Sequence, residues 1–493
     1  MADPVSYFGL ITSLVLPWIA GSVWVHWLLR QTGRWNLFIV LGQGYIVGLF
    51  LTTVIIRLWD AAGLSLHFWG ICALMTGLSV AGLCAVHIQS APARLSTESP
   101  RMETWQIVVT ACIAALIVYR YTTIAQEILL RPLYAWDAWM NWAPKAVVWF
   151  HNNTLTPFVS PGDWLQQTGE PAAYTLGAHK AWKYPPTVPL IQLWGMLGAG
   201  DWDNTAINLP WLLGAVALGL ALYGHLRLAG ASILFSTLAC YALLNLPYIN
   251  VQTALAGYAD SWVAIALGCA VFALHEWGES RQWPYALLAL TLAIMCTQLK
   301  IPGLIMGGVV LLVLVTSIIR PGKKTSTVLL AATLLCLVYM AAIGIEFSIA
   351  NIGRIELSTE GIVLPYIGRY DLDYHPIHGA ILNTLFLMLN WNILWYAFCL
   401  LAVAKIIQWR QPLLPALLPS LELRALALTL LFIFFVYYFT NRHQFASDYT
   451  QVNRALIYSI PIMVFYLFNS IRRSLQCNGT DRAMTSALPD RKG

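Results

Sequence analysis

Arg131-Pro-Leu-Tyr-Ala-Trp136-Asp137-Ala-Trp139-Met-Asn141-Trp142-Ala-Pro144-Lys145, closing on Lys183-Tyr184-Pro185-Pro186, lies between long apolar segments yet carries ionisable side chains. Tryptophan prefers a membrane–water boundary, because its ring is apolar while its N–H still seeks a partner. The tryptophans at 136, 139, 142 and 149 therefore predict a segment lying along a bilayer surface. Asp137, Asn141 and Lys145 recur at every fourth position, which on a helix places an acid, an amide and a cation on one stripe; Pro144 predicts a kink or break within it. The stretch reads as an active site held at a membrane face.

Working outward, the chain has 493 residues, 59% hydrophobic and only 10% charged, with mean hydropathy +0.66, which excludes an ordinary soluble domain. A bilayer core of about 30 Å needs about 20 apolar residues per helix. About thirteen runs meet that length, near 7–29, 36–56, 66–87, 105–125, 205–225, 231–249, 260–277, 284–299, 301–319, 327–347, 379–404, 425–441 and 455–470. No run alternates as a barrel strand does, so the expected class is an all-α polytopic membrane protein. Met-Ala-Asp-Pro at the start lacks a basic region, and the first span is expected to be retained. Eight of the nine cysteines fall in apolar runs and read as small buried hydrophobes.

Basic residues alternate between loops. Arg30 and Arg34, Arg94 and Arg101, Arg227, Arg281, Arg320 with Lys323 and Lys324, and Lys405 with Arg410 and Arg424 mark one face as cytoplasmic. An odd number of spans then leaves the N-terminus outside and the C-terminus inside, as expected in a bacterial inner membrane. On that topology 131–186, 250–260, 347–378 and 442–453 face the exterior. Three accessory helices and a polar linker are expected over 1–104, a catalytic membrane module over 105–470 with external loops 126–204 and 347–378, and a cytoplasmic tail over 471–493 without fixed structure beyond 474. Tyr184-Pro-Pro-Thr-Val-Pro189 opens an apolar segment too short to span, expected as a partly embedded amphipathic surface helix.

Further polar groups return at the outer ends of later spans: Gly257-Tyr258-Ala259-Asp260, Thr297-Gln298-Leu299-Lys300-Ile301-Pro302-Gly303 and Asn453-Arg454. Asp137 is the candidate base, with Asp260 as a second acid and Lys145, Lys183, Lys300 and Arg454 as cations. That set suits transfer from a phosphate-linked donor, since cations neutralise charge building on a leaving phosphate while a carboxylate accepts the acceptor's proton. Because this face points away from the cytosol, a lipid-carried donor is the consistent choice. The plainer readings are an ion pair of Asp137 with Lys145 or Arg131, a purely orienting Asp260, a snorkelling Lys300 and a solvated mixed-charge surface over 347–378. Asp201-Trp-Asp203 and Asp371-Leu-Asp373 have a DxD pattern but are not expected to hold a metal, and Pro376 argues against a shared ligand pair from His375 and His378. No cofactor and no nucleic-acid partner is expected.

The order Trp136-Asp137 after a span, Tyr184-Pro185-Pro186, Gly-Tyr-Ala-Asp260, Thr-Gln-Leu-Lys300-Ile-Pro-Gly and Asn453-Arg454 before a Pro461-containing last span resembles the GT-C superfamily of polyprenyl-phosphate-sugar-dependent glycosyltransferases, over roughly 105–470. The likeness is nearest to the aminoarabinose transferase and protein mannosyltransferase branch. It implies an inverting transfer to a glycan, lipid or protein acceptor, with Asp137 as catalytic acid/base, Lys183, Lys300 and Arg454 at the lipid phosphate, and Trp136, Asn141, Lys145, Tyr184 and Asp260 around the substrate. Two departures are plain: the acid follows the fourth span instead of the first, and the family's Thr-Lys-x-x-Gly turn becomes Thr297-Gln-Leu-Lys300.

An O-antigen polymerase or ligase is the alternative within the same chemistry. A transporter or flippase is the alternative outside it, and would place ionisable groups at mid-membrane and broken helices in matching halves. A topology reporter fused at residue 493 is expected to read cytoplasmic; an external signal would overturn the assignment of faces.

Overall fold

The computed structural model describes residues 6–90, 92, 102–166, 173–178, 180–319, 335, 338–339, 343–349, 353–365, 368–407 and 420–486. Four long helices come first: α1 (Tyr7–Arg30), α2 (Leu37–Ala61), α3 (Phe68–Ile88) and α4 (Thr104–Leu130). The segment that follows α4 holds α5 (Ala143–Asn152), α6 (Pro161–Leu165) and α7 (Thr187–Ala199). Then follow α8 (Leu209–Leu228), α9 (Ile233–Leu244), α10 (Pro247–Ala254), α11 (Ala259–Ser280), α12 (Trp283–Thr297) and α13 (Ile301–Ile319). After four strands come α14 (His378–Leu382), α15 (Leu394–Ile407), α16 (Leu421–Phe439), α17 (Gln444–Ser447), α18 (Val452–Leu456) and α19 (Ile460–Ser486).

Among the described residues, nine helices are long and apolar enough to cross a membrane, or ten if α9 and α10, bent by 63°, form one span. Three of the thirteen expected runs fall short of a straight span, each for a local reason. Pro247 lies at the start of α10 and breaks the 231–249 run. The 284–299 run gives only the 15 residues of α12 before the Gln298 turn. The 379–404 run is interrupted at Leu389-Asn390-Trp391-Asn392, where Leu389 and Asn392 take positive φ, so that α15 has only 14 residues. The expected 327–347 span lies largely outside the described residues, as does most of the 88–104 linker. At the other end, α19 continues helical to Ser486, which corrects the unstructured tail over 474–486.

A second correction concerns class. The 347–378 segment is mostly not a loop: it carries an antiparallel meander, β1 (Ile345–Ile349), β2 (Gly353–Leu357), β3 (Gly361–Leu364) and β4 (Gly368–Asp371), in order β1-β2-β3-β4. Among the described residues the protein is mainly helical, with one small sheet. Ile345, Phe347 and Ile349 alternate with Glu346 and Ser348, the period of a strand with two unlike faces. Arg354 pairs with Glu346 at 3.0 Å and with Glu356 at 2.9 Å, and Arg369 with Asp371 at 2.7 Å, so these charges knit the sheet's solvated side. The sheet is tied to the end of α16 by the Leu372–Thr440 bridge and by the His375 N–H donating to Tyr438 O at 2.8 Å.

The expected surface helix is instead a core element. Nearly every residue of α7 is buried, with the Trp194 indole donating to Ser13 O at 2.8 Å and Gly198 so close to α1 that a Cβ there would meet Gly9 O at 2.8 Å. A helix apolar all round needs cover on all sides, and the first helices supply it. Of the four tryptophans, Trp136 and Trp139 are exposed as a boundary role requires, while Trp142 and Trp149 are buried.

The centre of the bundle is α11, buried over 94% of its apolar window. It carries polar groups at both ends. Asp260 opens it, and His275-Glu276 sit 16 residues on, about 24 Å along the axis at 1.5 Å per residue. At that inner end Gln43 Nε2 approaches His225 Nε2 at 2.8 Å, leaving His225 Nδ1 to face Glu276 at 3.6 Å. Asn469 Nδ2 approaches His275 Nε2 at 3.4 Å, and His275 Nδ1 faces Glu422 at 3.1 Å. Two amide–histidine–carboxylate rows thus join α2, α8, α11, α16 and α19. Removing one partner of a buried pair strands the other, so Glu422→Ala is expected to cost about 3 kcal/mol or more. The thermal midpoint of detergent-purified protein would fall; an unchanged midpoint would remove the stapling role.

Candidate active site

At the N-terminal end of α11, Asp260 is completely buried and saturated with donors. Lys300 Nζ reaches its two oxygens at 2.8 and 3.0 Å, Arg454 Nε donates at 2.8 Å, and Arg454 Nη2 and the Tyr458 hydroxyl also donate. An anion at the first turn of a helix is further favoured by the helix dipole. Asp260 is therefore an organising carboxylate. Asp137, also buried, accepts from Asn141 Nδ2 on one oxygen and from Arg454 Nη2 on the other. Arg454 forks between the two acids, with its guanidinium 4.6 Å from the Tyr258 ring centroid. The expected alternative partners of Asp137 are occupied elsewhere: Arg131 pairs with Glu127 at 3.0 Å, and Lys145 Nζ donates to Trp182 O at 3.2 Å and Tyr184 O at 2.9 Å.

Local sequence explains this arrangement. Pro144 has no N–H, and its ring would strain a regular helix one turn back. The chain responds with a π-helical turn over Ala138–Trp142, after which α5 starts with Pro144 in its first turn. The four-residue spacing survives from Asp137 to Asn141, but the wider turn swings Lys145 off the stripe. Gly257, at φ +93°, lets the Gly-Tyr-Ala-Asp turn pack against it, since a Cβ there would lie 2.5 Å from that of Ala138. A 3-10 turn over Ile457–Ser459, just before Pro461, presents Tyr458 one helical turn after Arg454 to the same carboxylate.

These groups line one cavity of about 600 Å³. Trp136, Asp137, Asn141, Lys183, Tyr184, Asp260, Lys300 and Arg454 all face it, so eight of the nine expected site residues meet there. Lys145 does not; it is buried behind the wall, holding the 182–184 carbonyls, and is corrected from substrate contact to support. Tyr184 stacks on Trp142 at 5.0 Å, and burial together with the charge of Asp137 raises its phenol above the usual range. Ile301, Pro302 and Ile305 of α13 and Phe432, Ile433 and Val436 of α16 make an apolar wall, while Ile362, Leu364 and Tyr370 of the sheet cover it. Phe435, on the same wall, is exposed.

Sequence reasoning passed over four contributors. Lys180 and Arg442 line the cavity mouth, and Tyr458 its floor. Arg57, in a span read as mere scaffold, donates to Gln298 Oε1 at 3.0 Å and to Thr187, fixing the Lys300 turn to the start of α7. A lone arginine near the outer end of an apolar run was the available signal. Among the described residues no group of three or more His, Cys, Asp or Glu is placed to hold a metal ion. Asp201 accepts the Asp203 N–H at 3.0 Å.

No known protein family, no curated protein and no solved structure matches this chain.

Burial lowers the Lys145 ammonium to about 8, against about 10.4 when unfolded. Between those values the folded state binds fewer protons, so the Lys145 contribution to stability rises with pH in that window and is least below it. The midpoint difference between wild type and Lys145→Met is expected to shift in favour of wild type from pH 7 to pH 10. A flat difference would mean that the amine is not desolvated.

Proposed function

We propose that the protein is a membrane glycosyltransferase that moves a sugar from a polyprenyl-phosphate-linked donor to a hydroxyl of an envelope glycan, lipid or protein on the non-cytoplasmic face. The observation that carries this reading is a single cavity in which a buried carboxylate, Asp137, and several cations face an apolar wall made by α13 and α16. An amphipathic substrate with a charged junction is what such a surface accommodates: prenyl chain against the wall, phosphate at the cations, sugar toward Asp137. The GT-C resemblance stands beside this as a proposal on the same residues.

In the transfer, the acceptor O–H bond breaks and its proton passes to Asp137 while the oxygen bonds the anomeric carbon. The bond from that carbon to the phosphate oxygen breaks, and its electron pair leaves with the lipid phosphate. Asn141 and Arg454 fix the carboxylate's direction. A carboxylate is a weak base, so it acts late, on a hydroxyl already acidified by bond formation. Lys300 and Arg454 are committed to Asp260 and Asp137; they are proposed as the positive floor of the site, with Lys183 meeting the phosphate at the mouth. Arg34, Arg281, Arg424, Arg472 and Arg473 sit at the opposite end of the bundle, which supports a cytoplasmic inner end and an N-terminus outside; a bacterial inner membrane is the location proposed with that orientation. A transporter of a lipid-linked substrate is the second reading, favoured by the buried His225–Glu276 and His275–Glu422 pairs within the spans.

Asp137→Asn is expected to lower sugar transfer by purified enzyme by about 10²- to 10⁴-fold with folding intact. Turnover at the wild-type rate would reject the base, and donor movement without transfer would favour the transporter.

A further inference from the structure

We propose that the cations at the cavity mouth, Lys180, Lys183 and Arg442, select a donor joined to its lipid through a diphosphate, not a single phosphate. The inference rests on the glycosyl-transfer reading above. Five cations and two carboxylates line the cavity among the described residues, a surplus of three positive charges. The inner four groups cancel: Lys300 and Arg454 are bound to Asp260 and Asp137. The surplus is therefore at the mouth.

Among the described residues, none of the three mouth cations makes an ion pair with a carboxylate. Of the acids near Arg442, Asp371 pairs with Arg369 at 2.7 Å, and Asp448 accepts the Thr450 N–H of its own turn at 2.9 Å. Aromatic faces hold two of them instead. Lys183 lies 5.1 Å from the Trp182 centroid, and Arg442 lies 5.2 Å from Tyr370 and 5.6 Å from Phe445. A ring face steadies a cation without cancelling its charge and leaves N–H groups free to donate.

The charge of the leaving group decides between donor classes. A single-phosphate donor is a diester with one negative charge, and departs as a monoester with about two. A diphosphate donor carries two and departs with about three, counting one for the inner phosphate and up to about two for the terminal one. In either transfer one C–O bond forms, one C–O bond to phosphate breaks, and the acceptor's proton goes to Asp137. Only the diphosphate product matches the surplus, and cations placed where charge grows favour the transition state over the ground state.

The test is binding of undecaprenyl phosphate and undecaprenyl diphosphate to the full-length protein in detergent at low salt, with wild type and Arg442→Gln compared. The diphosphate is expected to bind at least about tenfold more tightly, and Arg442→Gln to narrow that gap several-fold with an unchanged thermal midpoint. Equal affinity, or tighter binding of the monophosphate, overturns the diphosphate assignment and leaves the glycosyl-transfer reading standing. A gap that survives Arg442→Gln and Lys180→Gln/Lys183→Gln together removes the mouth cations as its cause. Failure of both lipids to bind overturns this inference and the reading beneath it.

Discussion

One guanidinium shared by two buried carboxylates is the contact on which the outer half of this protein depends. Arg454 is held by Asp260 and Asp137 at once, and Lys300 completes a group of two cations and two anions with little exposure. Each charge alone would be costly in such surroundings, and the set is tolerable because each is paired and hydrogen-bonded. Four distant parts of the chain must therefore arrive together: the π-turn after α4, the start of α11, the turn before α13 and the approach to α19. The candidate site thus shares its scaffold with the fold.

The arrangement also separates two jobs. Inner cations are paired with the carboxylates, while the mouth cations are the ones proposed to meet a ligand. Both acids line the cavity, but Asp137 has only one cation against it, whereas Asp260 is closed in by Lys300, Arg454 and Tyr458. Two aspartates at similar depth thereby acquire different prospects. The sheet and the apolar helices α13 and α16 line the space around them.

The inner end of α11 repeats the principle with different chemistry. His225–Glu276 and His275–Glu422 are packed among apolar side chains with amides on their far ring nitrogens. Adjacent positions 275 and 276 point to different helices, so one short stretch of α11 fastens two sides of the bundle. The central helix is tied at both ends and apolar between, which favours a fixed height for Asp260 relative to the turns around it.

Hydropathy alone settled that the chain is mainly helical and suited to a membrane, because the length of an apolar run is a one-dimensional property. It also made Asp137, Asp260, Lys300 and Arg454 conspicuous, because ionisable groups beside such runs are costly and few. Their pairing was not legible: Arg454 lies 317 positions from Asp137, and sequence spacing suggested Lys145 instead. Only the packed chain decided that a π-turn would send Lys145 inward, that the α7 segment would be enclosed by the first helices, and that alternating residues after 345 would form strands. Those outcomes depend on which surfaces meet. The same limit concealed Arg442 and Lys180, ordinary loop cations until the fold brought their loops to one opening.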